Sequence, residues 1–183
     1  MKIACLGWGS LVWRPEGLKV QRQWFNDGPL LPIEFTRQSR DGRLTLVINK
    51  GSKLVRVLWG LMDTSDIEEA KKSLQDREGI KKENINKHIG VIKINDATED
   101  TVLIEIGDWA KALKLDAVIW TALESKFDNK EIAPTADQAV NYLRGLEIQK
   151  KRHAEEYIRR TPKQIDTEYR QRFENEFNWT CIE

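Results

Sequence analysis

A predicted β-hairpin constrains the fold more than any other feature of this 183-residue chain. Its strands span residues 33–39 and 43–49, and Asp41-Gly42 lies between them. Both turn residues tolerate the positive φ that a tight hairpin turn requires. In the second strand, apolar side chains recur at every other position and so share one face: Leu44, Leu46 and Ile48. A third strand over 54–62 follows a further turn, so we expect an antiparallel meander.

Strand and helix patterns alternate along the rest of the chain. Apolar spacing of three to four residues predicts a helix that starts at a Ser65–Glu68 capping box and ends at Gly79. The strand at 116–121 is apolar on both faces, which predicts a central position in a sheet. Further strands are predicted at 2–6, 90–94 and 101–106, and a short helix at 108–113. Three C-terminal helices are also predicted. The first begins at a Thr135–Gln138 capping box, the second spans 147–160, and the third carries Ile165, Tyr169, Phe173 and Phe177 on one face.

This alternation of sheet and helix blocks predicts an α+β fold. We expect a mostly antiparallel twisted sheet or a small β-barrel with flanking helices, followed by C-terminal helices. Residues 1–134 are predicted to form the sheet-containing domain, and residues 135–183 a helical extension packed on the same domain.

Composition argues against several classes of function. Hydrophobic residues make up 40% of the chain, charged residues 32%, and the net charge is +1, which is typical of a globular protein without a nucleic-acid surface. The first residues predict a strand rather than a secretory signal, and no apolar run is long enough to cross a bilayer. Cys5 and Cys181 lack the spacing of metal ligands. We therefore expect cytoplasmic residence, with no metal, nucleic-acid partner or membrane partner.

A glycine-rich corner, Gly-Trp-Gly-Ser-Leu-Val-Trp at 7–13, follows the first predicted strand directly. It is not a dinucleotide motif, because Val12 stands where the third glycine belongs, and it lacks the lysine of a P-loop. It is not a nucleophile elbow, because Trp8 and Val12 flank Ser10 where glycines are required. Two interpretations remain: a simple tight turn, or a nest of main-chain N–H groups that binds an anionic oxygen.

A carboxylate continues the apolar series of the predicted helix that ends at Gly79. Ile67, Ala70 and Leu74 recur at helical spacing, and Glu78 occupies the next four-residue step. A carboxylate on the buried side is costly unless it is paired or functional. The alternative is a charged helix end exposed to solvent.

These two segments together resemble a known family. Residues 7–13 resemble the Tyr-Gly-Ser-Leu-(Ile/Met)-Trp signature of the γ-glutamylcyclotransferase family, in its ChaC-like branch, with Trp8 in place of the usual tyrosine. Residues 77–80, Arg-Glu-Gly-Ile, resemble the segment that holds the family's catalytic glutamate, and the strand at 58–61 is also similar. The resemblance covers roughly the first half of the chain and the strand at 116–121, and it does not extend through the last third.

The resemblance implies an activity: cyclisation of a γ-glutamyl amide to 5-oxoproline with release of an amine, without a metal or other cofactor. It implies that Glu78 is the general acid and base, and we expect main-chain N–H groups of the corner to hold an oxygen of the substrate. The substrate would be a small γ-glutamyl compound, and the chain is compatible with a homodimer. The predicted substrate-binding residues are Trp8, Gly9, Ser10, Leu11, Trp13 and Trp120.

The sequence is compatible with other interpretations. For Trp13 and Trp120, a place in the hydrophobic core is at least an equal alternative to a pocket wall. A catalytically inactive relative that binds a small molecule would carry the same motifs. A protein-interaction module would use the aromatic stripe of the last helix, although packing of that stripe against its own domain is the favoured interpretation.

Overall fold

A computed structural model describes residues 1–182, which fall into two compact units that are each discontinuous in sequence. Residues 1–7, 14–31 and 56–123 form the first unit, and residues 8–13 and 32–55 with the chain from Glu124 onward form the second. The strands are β1 Ile3–Gly7, β2 Leu30–Gln38, β3 Leu44–Ile48, β4 Leu54–Arg56, β5 Leu58–Leu61, β6 Ile89–Lys93 and β7 Ala117–Thr121. The helices are α1 Ser10–Trp13, α2 Ile67–Glu78, α3 Ile85–His88, α4 Thr101–Ala112, α5 Ala136–Arg144, α6 Ile148–Arg160 and α7 Glu168–Phe177, with a 3₁₀ turn at Lys82–Asn84.

The first unit contains a mixed four-stranded sheet in the order β5-β1-β7-β6. β1 pairs antiparallel with β5 and parallel with β7, and β7 pairs antiparallel with β6. Both interior strands are almost wholly buried. The predicted central position of the 116–121 strand is therefore confirmed, and the reason is the one its composition indicates: a strand covered on both faces needs apolar side chains on both.

Helix α2 packs in the first unit and contacts β7, β6 and α3. Its N-cap is Asp66, whose carboxylate accepts from the N–H groups of Glu68 and Glu69, so the predicted capping box from Ser65 is wrong by one residue. Aspartate caps as well as serine does, and the sequence alone did not distinguish them. The predicted end of the helix is confirmed, because Gly79 adopts the left-handed conformation with φ 63°.

The predicted strand at 101–106 is wrong, because these residues begin helix α4. Asp100 caps the helix by accepting from the Val102 N–H, and Val102, Ile106 and Ala110 are buried at intervals of four. The run of β-branched and apolar residues after Asp100 has the local composition of a strand. The four-residue stripe buries one helical face, and tertiary packing therefore overrides local preference.

The second unit contains a three-stranded sheet in the order β3-β2-β4. The predicted hairpin is confirmed, with antiparallel pairs such as Phe35 with Leu46 and a register shift between Phe35 and Arg37. The predicted meander is wrong, because β4 lies beside β2 rather than β3. The predicted 54–62 strand is also interrupted at Val57, and its two halves, β4 and β5, belong to different sheets. An apolar run does not state which sheet edge it will join.

Three helices complete the second unit. The predicted capping box at the start of α5 is confirmed: Thr135 accepts from the Gln138 N–H and Gln138 accepts from the Thr135 N–H. Helix α6 ends before Pro162, as predicted. The side chain of Arg170 in α7 is fully buried, where its guanidinium donates to the main-chain oxygens of Thr161, Pro162 and Ile165. These bonds fix the connection between α6 and α7.

The described residues therefore form an α+β protein with one mixed and one three-stranded sheet flanked by helices. Both sheets are open, so across residues 1–182 the alternative of a closed barrel is not realised. No helix within this range combines the length and apolar character needed to span a bilayer.

Candidate active site

The glycine corner forms the first turn of the second unit. After β1, the chain enters the one-turn helix α1, in which the Val12 N–H donates to the Gly9 oxygen at 3.0 Å. Gly9 has φ outside the left-handed region. Its lack of a side chain is required instead by a close contact: a Cβ at this position would lie 2.3 Å from the Tyr157 hydroxyl oxygen. The glycine therefore makes room for a tyrosine from α6.

The corner residues differ in how far they are buried. Trp8 is 6% exposed, and its indole N–H donates to the Leu46 oxygen at 3.1 Å, so its polar atom is satisfied within the unit. Leu11 is also buried, whereas Ser10, Val12 and Trp13 are half-buried. These three half-buried residues are the ones whose side chains retain access to solvent or to a ligand.

Tyr157 lies at the centre of an aromatic cluster that includes the corner. Its ring centroid is 5.6 Å from that of Trp13, and the Arg43 guanidinium lies 5.2 Å from the ring centroid on its face. Its hydroxyl oxygen accepts from the Leu46 N–H at 3.4 Å. Tyr157 has no predicted role from the sequence, although its place on the apolar face of α6 with Ala154 and Ile158 was a signal of burial.

Glu78 is the last residue of α2 in the first unit. Its side chain is 19% exposed, and its Oε1 accepts from Nη1 of Arg77 at 2.9 Å. Arg77 is 12% exposed and also donates from Nε and Nη2 to the main-chain oxygen of Arg14, at 3.0 and 2.7 Å. The guanidinium therefore joins the Glu78 carboxylate to the main chain just after the corner sequence. Arg77 was part of the sequence motif, but its partners were not predicted.

The charge of Glu78 affects the pKa of a buried side chain on β1, Cys5. Burial raises the pKa of the Cys5 thiol far above its ordinary value, the negative charge of Glu78 raises it further, and the positive charge of Arg77 opposes the rise. Both side chains are therefore close enough to β1 to influence a fully buried atom. The thiol stays protonated and is not a nucleophile.

Trp120 lies in β7 and is 5% exposed. Its indole ring covers Gly90 of the paired strand β6 so closely that a Cβ there would lie 2.1–2.5 Å from three ring atoms. Of the predicted site residues, Glu78 and Trp120 belong to the first unit, and the corner residues belong to the second.

Comparison with known proteins finds a similar solved structure but no similar sequence. No family model matches the chain, and no curated protein matches its sequence. Among solved structures, the chain is similar to the crystal structure of a γ-glutamyl cyclotransferase specific to glutathione from yeast, with a TM-score of 0.54 and 13% sequence identity. The match covers 97% of this chain and 98% of that one. At this identity the likeness concerns the fold, and the chain has a γ-glutamylcyclotransferase-like α+β fold.

Proposed function

We propose that this protein is a γ-glutamylcyclotransferase of the ChaC-like branch, which converts a γ-glutamyl amide to 5-oxoproline and a free amine. The observation that carries the proposal is the Glu78 carboxylate, which is mostly buried at the end of α2 and held by a guanidinium. It stands where the sequence resembles the segment that holds the family's catalytic glutamate. The full-length fold likeness supports the same assignment. Cytoplasmic residence is retained as part of the proposal.

The reaction needs one group that accepts a proton and later returns it. In the proposed mechanism, Glu78 takes a proton from the α-ammonium group of the γ-glutamyl moiety. The freed amine attacks the γ-carbonyl carbon and closes a five-membered ring. Glu78 then delivers the proton to the leaving nitrogen, and the bond between that nitrogen and the γ-carbon breaks as the carbonyl re-forms. The ring nitrogen gives its second proton to the departing amine, so 5-oxoproline and the protonated amine are released. Positioned proton transfer of this kind contributes roughly 10²–10⁴ in rate.

The corner residues have a second role in the proposal. Main-chain N–H groups of Gly9, Ser10 and Leu11 bind an oxygen of the γ-glutamyl group, and the half-buried Trp13 shields it from water. Preorganised N–H donors of this type stabilise the developing negative charge of a tetrahedral intermediate. Trp8 and Trp120 are buried, each within its own unit, so their proposed part is to pack in the core of that unit rather than to face solvent.

Substrate choice is tested with a panel of γ-glutamyl compounds and a direct assay for 5-oxoproline. Glutathione is the first member, because the similar yeast protein is specific to it. γ-Glutamyl amino acids and a γ-glutamyl amide of a larger amine complete the panel, and an α-glutamyl dipeptide is the control, since its amide is on the wrong carbonyl for this ring closure. If no γ-glutamyl compound yields 5-oxoproline, the proposed activity is wrong, and calorimetric binding without turnover would favour the inactive binding module.

The role of Glu78 is tested by the isosteric variant Glu78→Gln. We expect a folded protein whose kcat falls by about 10²-fold or more, because an amide cannot carry the proton. Asp76→Asn is the matched control, since Asp76 is on the same helix, is paired with Lys72 and has a side chain that is 59% exposed. Turnover retained by Glu78→Gln, or lost equally in Asp76→Asn, would contradict the assignment.

A further inference from the structure

We propose that Arg77 is a positioning residue for Glu78: anchored on the Arg14 main-chain oxygen, it fixes the direction of the carboxylate and keeps it ionised until substrate arrives. This inference rests on the proposed function for its catalytic consequence. Its physical part, the coupling of Arg77 to the charge of Glu78, is testable without turnover.

The geometry uses three nitrogens of one rigid group. Nε and Nη2 of Arg77 both donate to the Arg14 oxygen, which fixes the edge of the guanidinium that faces this oxygen. Nη1 of the same plane then donates to Oε1 of Glu78 at 2.9 Å. Because the guanidinium is planar, two bonds on one side determine where the third nitrogen points. A lysine ammonium has no such plane and could not reproduce the arrangement.

The pair is not an ordinary helical ion pair. Adjacent residues on a helix do not normally face each other, and stabilising pairs are three or four residues apart, as in Lys72 with Asp76. Arg77 and Glu78 pair as adjacent residues in the last turn of α2, directly before Gly79. Their side chains are 12% and 19% exposed, against 63% and 59% for Lys72 and Asp76, so water screens their attraction much less.

The position of Glu78 makes a compensating cation necessary. A carboxylate in the last turn of a helix lies at the negative end of the helix dipole, where a further negative charge is unfavourable. Partial burial adds a desolvation cost to the ionised form. Arg77 opposes both effects. An ionised Glu78 pairs with the substrate's α-ammonium group and accepts its proton, whereas a neutral Glu78 does neither.

Other charges near α2 are the same in all the Arg77 variants below. The thiol of Cys5 on β1 is neutral because of its raised pKa. The elements that also pack on α2 are α3, with Lys87 and His88, and β6, with Lys93. Their effects on Glu78 therefore cancel when variants of Arg77 are compared.

The test follows the ¹³C signal of the Glu78 carboxyl carbon through a pH titration of the glutamate-labelled full-length protein. The signal is assigned as the one missing from Glu78→Gln. In Arg77→Gln we expect the titration midpoint to move to higher pH by about one unit or more, as expected when an opposite charge at this distance is removed. Arg77→Met, which keeps the apolar stem, repeats the measurement if Arg77→Gln does not fold. Lys72→Gln is the control: it removes a positive charge from the exposed face of α2 and should leave the midpoint unchanged.

Kinetics give the second arm of the test. We expect kcat to fall about 10- to 100-fold in Arg77→Gln, the usual effect of losing a charge-assisted hydrogen bond, while KM changes less. Arg77→Lys keeps the charge but loses the fork, so its carboxyl midpoint should stay near that of the native chain while kcat falls. An unmoved midpoint in folded Arg77→Gln and Arg77→Met overturns the inference. If the native chain converts no γ-glutamyl compound, the proposed function fails, and the titration still decides whether Arg77 sets the charge of Glu78.

Discussion

The contact between Gly9 and Tyr157 gives a quantitative prediction about stability. In Gly9→Ala, the new Cβ would lie 2.3 Å from the Tyr157 hydroxyl oxygen and 3.1 Å from its Cζ, so the ring must shift. Overpacking of this kind costs about 1–3 kcal/mol. The shift also weakens the bond from the buried Leu46 N–H to the hydroxyl, whose loss costs on the order of 1 kcal/mol. Lower entropy of the unfolded chain returns about 0.4–1 kcal/mol.

Removal of the hydroxyl should relieve most of this cost. In Tyr157→Phe the nearest remaining atom is Cζ at 3.1 Å, which needs to move only by a few tenths of an ångström. We therefore expect Gly9→Ala to lower the free energy of unfolding by about 2 kcal/mol in the native chain and by well under half of that in Tyr157→Phe. The two substitutions should then be coupled by about 1–2 kcal/mol, well above the few tenths expected for independent sites.

Urea denaturation of the four proteins measures this coupling, with the m-value checked for constancy. Tyr142→Phe is the matched control, because Tyr142 donates to the Gly42 oxygen rather than meeting Gly9, and it should be additive with Gly9→Ala. Additivity of Gly9→Ala with Tyr157→Phe within about 0.5 kcal/mol would refute the steric explanation for the glycine.

The same contact changes how activity data on the corner should be interpreted. A side chain at Gly9 disturbs Tyr157 whether or not substrate binds there, so a raised KM in a single Gly9 variant does not identify a substrate contact. The double variant Gly9→Ala with Tyr157→Phe restores the packing. A KM that stays raised in the double variant relative to Tyr157→Phe alone would indicate that the corner contacts substrate.

Two further predictions concern stability. Burial raises the pKa of Glu34 above its ordinary 4.5, although N–H donors, including that of Tyr169, act in the opposite direction. The native state therefore holds this proton more tightly than the unfolded chain, and the contribution of Glu34 to stability is full below pH 4.5 and is lost as pH rises through the native pKa. The free energy of unfolding of the native chain minus that of Glu34→Gln should thus fall with rising pH in this window, and a flat difference would contradict the assignment. Gly90→Ala should be strongly destabilising, by about 1–3 kcal/mol, because its Cβ would lie 2.1 Å from the Trp120 ring; an unchanged denaturation midpoint and indole fluorescence would show that the ring is not held there.

Features that depend on a few neighbouring residues were predictable from the sequence. The Asp41-Gly42 hairpin, the Thr135–Gln138 capping box and the end of α2 at Gly79 all depend on bonds or φ values within about four residues. The position of Glu78 in the last turn of α2 likewise follows from residue spacing along the helix and from its end at Gly79. No tertiary contact is needed to explain any of these features.

Features that depend on which surfaces meet were decided only by the tertiary structure. Residues 101–106 have strand composition but form a helix because their apolar stripe at four-residue spacing is buried. β4 pairs with β2 rather than with β3, and the apolar run that forms β4 does not encode which strand it pairs with. The anchoring of Arg77 on Arg14 and the approach of Tyr157 to Gly9 join residues far apart in sequence. Local spacing thus determined the hairpin turn, the capping box of α5 and the end of α2. The contacts that hold Glu78 and that require a glycine at position 9 were decided by packing, because segments far apart in sequence carry no local signal of their contact.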